Sequence, residues 1–328
     1  MSSGKISGRN AINIVKNVKV KPTSDSLISG SNKVNVKRSG LLSKPHKKHA
    51  SSDKSHSWIN LNKYMNNSYA YPSASQLNAI NHFFNRAECK YEWSVADFGN
   101  IPSEQMKSVY GHNSGMNHEG GKLYNGKTRY PFQLLNPLPE IAFLGKTNVG
   151  KSTILNNLIT SFKQKDLDVH ARMSNRAGFT KTLNCYNVGN KFRIIDTPGY
   201  GFHSAIEQGN VTLDYLSNRK ELKRCFLLIS AKKEISEHDR YLMDLMTESG
   251  IPFELIFSKM DKVTDVDEFV QWIDSSGLRN LPTLPKLIFT NSMVSKFIKK
   301  RYGVDLLRYS IFEACNLDSS VKPERIKY

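Results

Sequence analysis

Eight consecutive residues, Gly145-Lys146-Thr147-Asn148-Val149-Gly150-Lys151-Ser152, fit the spacing G-x-x-x-x-G-K-[ST]. The chemistry that this spacing offers is polyphosphate binding. The two glycines let backbone N–H groups turn inward without a Cβ in the way. The start of the following helix adds a partial positive charge. Lys151 is placed to reach β- and γ-phosphates, and the Ser152 hydroxyl to ligate Mg2+. Thr153 follows directly and belongs to the same candidate phosphate site. Without its flanks the pattern could be a plain glycine turn.

Three more stretches decide which nucleotide would fit. Asp196-Thr197-Pro198-Gly199 is a D-x-x-G motif 44 residues beyond Ser152. Asp196 is the candidate for holding Mg2+ through a water. The Gly199 N–H can bond a γ-phosphate and let the next segment move when that phosphate leaves. Ser258-Lys259-Met260-Asp261 ends another apolar run. The Asp261 carboxylate can accept both the N1–H and the 2-amino protons of guanine. Adenine offers neither, so it would leave a buried acceptor unpaired and be rejected. The Lys259 stem can cover the base face. Backbone N–H groups at Thr290, Asn291 or Ser292 are placed for the guanine O6, and the sequence leaves open which one serves. Between the first two motifs lies Gly178-Phe179-Thr180-Lys181-Thr182. A loop that senses the γ-phosphate needs one hydroxyl to complete the Mg2+ shell. Thr180 is the first candidate and Thr182 the second, with a helix-capping threonine as the plainer alternative.

These residues need a scaffold that brings the ends of several strands together. From Pro139 onward, strand and helix patterns alternate. Strands are expected at 141–144, 184–188, 192–195, 226–229, 253–257 and 287–290, and helices at 151–162, 207–219, 237–249, 265–275 and 304–316. That alternation predicts an α/β, doubly wound phosphate-loop domain on a mostly parallel six-stranded sheet. The short Gly189-Asn190 turn predicts a hairpin, hence one antiparallel strand. In such sheets ligands sit at the carboxyl ends of the strands, where every motif above falls.

The rest of the chain divides by composition. Of 328 residues, 1–57 carry 12 Lys/Arg against 2 Asp/Glu, much of the net charge of +18. No acidic residue precedes Asp25. This basic, Ser-containing, acid-poor start fits a mitochondrial transit peptide within a disordered leader. Residues 58–135 form an aromatic-rich extension, partly disordered, with a helix expected over Ser75–Ala87. Its aromatics could build an RNA-stacking platform or simply pack as core. Gly111–Lys127 reads as a loop. Residues 136–318 are the expected nucleotide domain and 319–328 a tail. The four cysteines are too widely spaced for a zinc knuckle or a redox pair, and the nine histidines lack metal-ligand spacing. No apolar run approaches the roughly 18 residues of a membrane span. The basic balance favours polyanionic partners, and Arg219–Arg224 and Lys296–Arg301 are the candidate RNA patches.

With five motifs in order, the stretch from about Leu138 to Asn316 resembles the EngB (YihA/YsxC) family of TrmE-Era-like GTPases. The most specific likeness lies in Pro139–Ser152 and in Asp196-Thr197-Pro198-Gly199-Tyr200-Gly201-Phe202. The resemblance implies GTP binding and hydrolysis to GDP with Mg2+. It also implies work on the large ribosomal subunit. With the basic leader, it implies a mitochondrial, matrix-located member serving large-subunit assembly or mitochondrial translation. The sequence departs from the family at Lys146, Ala177, Phe179, Ser230, Lys232 and Ser258. Phe179 replaces a cation and puts the loop's γ-phosphate contact in question. Many relatives orient the attacking water with a Gln after the D-x-x-G glycine. Tyr200 stands there, so slow intrinsic turnover, raised by an activating partner, is expected. Asn148 occupies the place where related GTPases hold K+ beside the phosphates. Lys151, Asn148 and Thr180 are therefore the expected catalytic set. The rival reading is a nucleotide-stabilised RNA-binding scaffold with negligible turnover. A role in tRNA modification or at a membrane finds no partner domain or lipid anchor in the sequence.

Overall fold

A computed structural model describes residues 60–110, 127, 131–161, 167, 182–200, 206–294, 298 and 300–326. The leader, most of the Gly111–Lys127 loop, Gly178–Lys181, Gly201–Phe202 and most of Lys296–Lys299 lie outside the described residues. The sheet is built from β1 (Cys89–Val95), β2 (Glu140–Gly145), β3 (Leu183–Val188), β4 (Phe192–Asp196), β5 (Leu222–Ser230), β6 (Phe253–Ser258) and β7 (Leu287–Phe289). Their order is β1-β3-β4-β2-β5-β6-β7. β2 is parallel to β4 and β5, and β6 is parallel to β5 and β7. β3 runs antiparallel to both its neighbours. Gly189 and Asn190 both have positive φ, 56° and 53°, the geometry a two-residue hairpin needs. A Cβ on Gly189 would also lie 2.8 Å from Pro323.

Seven strands replace the six expected. The added one, β1, comes from the aromatic-rich extension and pairs with β3. Its sequence, Cys-Lys-Tyr-Glu-Trp-Ser-Val, is half-exposed along most of its length, so it carries no apolar run to announce it. The other six strands fall where the apolar runs do.

Nine helices are described: α1 (Leu61–Met65), α2 (Ala74–Arg86), α3 (Pro102–Tyr110), α4 (Phe132–Leu135), α5 (Lys151–Ile159), α6 (Ile206–Asn218), α7 (Glu237–Glu248), α8 (Val266–Ser275) and α9 (Val304–Ala314). The period of two in β2 sends its side chains to two cores. Ala142 and Leu144 join α6, α7 and α8 on one face, with Leu61 and Met65 of α1. Ile141 and Phe143 join α2, α5 and α9 on the other. All the described residues lie in one compact unit, 51–328.

The extension is stitched into this unit. Phe83 and Phe84 of α2 are buried against Phe192 and Phe312, with ring centroids 4.9–6.2 Å apart. These rings are core, whereas Tyr64, Tyr71 and Tyr91 stay exposed. A bulge in β1 between Tyr91 and Trp93 turns Glu92 across β3. Its carboxylate accepts from Arg193 Nε at 2.6 Å and Asn187 Nδ2 at 2.8 Å.

Both candidate RNA patches lose members to the interior. Arg219 is buried, and its guanidinium grips Glu140 through two nitrogens while a third reaches Ser103 and Glu104 of α3. Tyr215 Oη donates to the same Glu140 at 2.8 Å. Removing one partner of such a pair costs about 3–5 kcal/mol, because the other charge is stranded. Arg224 pairs with Glu254 at 2.6 Å, and Glu221 with Lys107 at 2.7 Å. In the second patch Arg301 is buried and donates to Ser161 O. A charge run in sequence does not reveal which cations have buried partners.

Candidate functional site

β2 ends in the phosphate loop. Gly145 closes the strand, and a Cβ there would meet Val149, Leu228 O and Leu228 Cβ at 2.9–3.1 Å. Asn148 and Gly150 hold left-handed φ of 63° and 109°; Gly150, just before α5, tolerates this at no steric cost. Lys151, Ser152 and Thr153 form the first turn of α5. That puts the helix N-terminus and its unpaired N–H groups at the loop. The far end of α5 is capped by Arg308, which is buried. Its Nε and Nη2 donate to Leu158 O at 2.9 and 2.6 Å, and Nη2 also to Thr160 O at 3.0 Å. A cation on the carbonyl end of a helix complements its dipole. Nothing in the local sequence signals this role.

Lys151 is buried with its Nζ 3.3 Å from Gly145 O. Burial pushes its ammonium pKa down, and Asp196 opposes that shift. Asp196 ends β4 and is buried too, and its Oδ1 has no hydrogen-bond partner. Burial raises its carboxyl to about 6, with Lys151 working the other way. A buried carboxylate oxygen with an unused lone pair, next to a helix N-terminus, is the donor a hard cation requires. Among the described residues no group of three or more His, Cys, Asp or Glu is arranged to hold a metal ion by itself. Mg2+ would therefore take few protein ligands, with phosphates and waters completing its shell. Asp196 and Ser152 fit that arrangement.

The raised Asp196 value gives a pH prediction. An acid whose folded pKa lies above its ordinary value binds its proton more tightly in the fold. Its ionised form carries a cost that appears as pH rises through about 6, and a bound cation relieves that cost. Below that pH, protons compete with Mg2+. Mg2+-dependent nucleotide affinity should fall up to about tenfold per pH unit. Calorimetric titration from pH 5 to 8 measures it. Asp196→Asn, which shares the nucleotide's own titration, supplies the baseline and should lack this component.

The D-x-x-G segment leans on the phosphate loop. Thr197 Oγ1 donates to Phe143 O at 2.8 Å. Pro198 leads to Gly199, where a Cβ would lie 3.0 Å from Thr147 Cα. Thr147 N–H donates to Tyr200 O at 3.0 Å. Tyr200 Oη donates to Asp239 Oδ1 at 2.6 Å. Burial and that carboxylate both push the phenol well above its ordinary value. The other Asp239 oxygen accepts from Ser236 N–H and hydroxyl in a capping box at the start of α7, and Lys146 Nζ lies 3.8 Å from it. Asp239 thus joins three motifs, and the sequence reading missed it. The Ser236-x-x-Asp239 spacing was a readable cap signal, but its link to Tyr200 is tertiary.

The base motif is tied to the same loop. Ser258 Oγ donates to Val149 O at 2.7 Å, and Lys259 Nζ to Asn148 O at 2.8 Å. Lys259 takes a left-handed φ of 60°. Met260 is fully buried, while Asp261 keeps partial exposure beside Lys262 Nζ at 3.2 Å. Thr290 N–H donates to Phe257 O at 2.8 Å. Asn291 is buried with its Oδ1 unpartnered, and Ser292 Oγ accepts from Asn157 at 2.8 Å. The ends of β2, β4, β6 and β7 thus carry one continuous rim. Of the predicted site residues, Gly178, Phe179, Thr180 and Lys181 lie outside the described residues. Thr182 Oγ1 sits 2.6 Å from Ser94 Oγ of β1 and 3.3 Å from Asn184 Oδ1, so its hydroxyl is engaged with the extension.

The family described as "50S ribosome-binding GTPase" matches residues 140–259. A "Probable GTP-binding protein EngB" of Rickettsia rickettsii is 38% identical over 159 residues, covering 45% of this chain and 72% of its own. The chain belongs to the EngB family of GTP-binding proteins. A relative from Saccharomyces cerevisiae, "MIOREX complex component 8", is 50% identical over 260 residues, 79% of this chain and 80% of its own. That match is too long to be confined to the nucleotide domain. A crystal structure of a probable GTP-binding protein engB shares 23% identity over 54% of this chain and 98% of its own, with a TM-score of 0.39. GTP binding and GTPase activity are the general properties of this EngB-type fold. Among the described residues no helix is long and apolar enough to cross a membrane.

Proposed function

We propose that the chain is a GTP-hydrolysing switch that acts on the large subunit of the mitochondrial ribosome, in its assembly or in translation. The observation that carries the switch reading is the direct bonding of the base motif to the phosphate loop, at Val149 O and Asn148 O. Base and triphosphate would be read by one connected rim. The ribosome part rests on the family description, and the mitochondrial matrix part on the basic, acid-poor leader. The yeast relative is a component of the MIOREX complex, and membership of an equivalent assembly is part of the proposal.

The proposed roles follow the site. The amides of Gly145–Ser152 and the first turn through Thr153 cradle the phosphates. Lys151 neutralises charge that develops on the β–γ bridge. Ser152, Asp196 and Thr180 hold Mg2+, and Gly199 senses the γ-phosphate. Asp261 reads guanine N1–H and the 2-amino group, and of the three candidate amides at Thr290–Ser292 the Ser292 N–H reads O6, since Thr290 and Asn291 donate to Phe257 O and Tyr302 O. The proposed switch is two states of the site, around Thr180 and at Gly199–Phe202, biased by the γ-phosphate. Bound Mg2+ supplies charge neutralisation at the phosphates, and the chain supplies the positions.

Tyr200 stands where a water-orienting amide is expected. Its hydroxyl is committed to Asp239, which supports slow intrinsic turnover and an activating partner. Asn148 is the proposed K+ contact. If K+ replaces a missing cationic side chain, hydrolysis should run at least several-fold faster in K+ than in Na+ at equal ionic strength. Equal rates would remove K+ from the mechanism. The same Tyr200 contact also favours the second reading, an RNA-binding scaffold with negligible turnover. Hydrolysis assays with assembling mitochondrial large-subunit particles separate the two. Stimulation well above background supports the switch, and binding without turnover supports the scaffold.

A further inference from the structure

The free edge of the sheet at β7 is closed by two side chains. Asn62 on α1 and Asn66, the residue that caps its C-terminus, lie four residues apart and face the same way. Each amide makes both bonds that a neighbouring strand's peptide would make. Asn62 Nδ2 donates to Phe289 O at 2.9 Å while its Oδ1 accepts from Phe289 N–H at 2.8 Å. Asn66 Nδ2 donates to Leu287 O at 2.8 Å while its Oδ1 accepts from Leu287 N–H at 3.0 Å. Both side chains are buried. A helix thereby supplies a strand's hydrogen bonds at an edge that would otherwise present open backbone groups.

The position of this contact gives it a use. β7 is only three residues long, and Phe289 is its last. Thr290, Asn291 and Ser292 follow directly. On the far side of that turn, Asn291 and Tyr302 exchange backbone bonds of 3.0 and 3.1 Å. Gly303 then lies so close that a Cβ there would sit 2.0 Å from Phe289 O and 3.2 Å from Asn62 Nδ2. The Phe289 peptide is therefore held by Asn62 and crowded by Gly303 immediately before the O6-reading turn. The Asp261 motif has anchors of its own, and its bond to the turn, from Met260 N–H to Thr290 O, is long at 3.4 Å. The motif is fixed to the phosphate loop by the bonds from Ser258 and Lys259.

We propose that Asn62 is a positioning residue for guanine recognition: it sets the end of β7 so that the Ser292 amide meets the base O6, the N–H groups of Thr290 and Asn291 being given to Phe257 O and Tyr302 O. Asn66 holds the strand behind it. The inference rests on the reading that guanine lies between Asp261 and the 290–292 turn. It assigns to the N-terminal extension a part in nucleotide specificity.

The test compares affinity ratios, because a variant that is merely less stable weakens all ligands alike. GDP, 6-thio-GDP and IDP are titrated against the full chain in Mg2+. Sulfur at position 6 is a poor acceptor for the Ser292 amide, and IDP lacks only the 2-amino group that Asp261 reads. The wild-type protein should prefer GDP over both analogues by about tenfold or more, the scale of one good hydrogen bond. In Asn62→Ala the preference over 6-thio-GDP should shrink at least threefold, while the preference over IDP is retained. Asn66→Ala should move the 6-thio-GDP ratio less, its partner lying two residues further from the turn. If Asn62→Ala does not fold, Asn62→Asp keeps the acceptor for Phe289 N–H and removes the donor to its carbonyl, and the same ratios are read. Unchanged ratios in a folded Asn62 variant overturn the inference alone. A wild-type protein that fails to distinguish GDP from either analogue overturns it together with the base-site reading.

Discussion

Asp261→Ala is expected to weaken GTP binding about a hundred- to a thousand-fold and to leave ATP binding unchanged. A carboxylate that accepts two protons from guanine makes two charge-assisted hydrogen bonds. Losing both costs about 3–4 kcal/mol, which is that range in affinity. The fold should tolerate the change. Asp261 is partly exposed and its one ion pair, to the exposed Lys262, is of a kind that contributes little to stability. Competition against a fluorescent guanine nucleotide, with a thermal melt as control, measures both. Retained guanosine preference in the variant would remove Asp261 from the base site.

Lys151→Met is expected to lower single-turnover GTP hydrolysis by roughly 10²–10³-fold, the loss typical of one preorganised charge at a reacting centre. Methionine keeps most of the buried stem's volume and removes the ammonium, so little cavity cost enters. A second effect follows from Asp196. Lys151 is the cation that holds the buried Asp196 carboxyl down. Without it the carboxyl should rise further above 6, and the pH at which Mg2+ dependence sets in should move up with it. A hydrolysis rate within threefold of wild type would overturn the charge-neutralising role. An unmoved pH profile would overturn only the coupling to Asp196.

These two substitutions test opposite ends of one rim, and the bonds between the ends make the rim a unit. Ser258 and Lys259 reach back to Val149 and Asn148. Tyr200 and Lys146 meet on Asp239 at the start of α7. The loop amides, the D-x-x-G segment and the base motif are thus joined by short bonds across strand ends. A shift in one is felt by the others, which is what a nucleotide-dependent switch requires.

Much of the site was legible because phosphate and guanine chemistry constrain local spacing. Glycine is the residue of choice at Gly150, where φ is 109°. Asp196 and Asp261 stand at or just past strand ends that the apolar runs already marked. The hairpin at Gly189-Asn190 was legible for the same reason, since both residues take positive φ. Less could be read where burial depends on distant partners. β1 carries its signal as alternation, Cys-Lys-Tyr-Glu-Trp-Ser-Val, and not as the apolar run that marks the buried strands. Arg219 looked like part of a surface charge run, yet it lies against Glu140 in the interior. Asn62 and Asn66 look like any polar pair at a short helix.

By itself, the sequence determined the motifs, the parallel core strands and the helices between them, because each depends on residues a few positions apart. Only the tertiary structure decided where the extension goes. Asn62 meets Phe289 across 227 positions, and Glu92 meets Arg193 across 101. Such pairs satisfy buried backbone groups and charges that no local pattern can satisfy. Their free energy lies in the desolvated contact and not in either residue alone, so it exists only once the chain has closed around them.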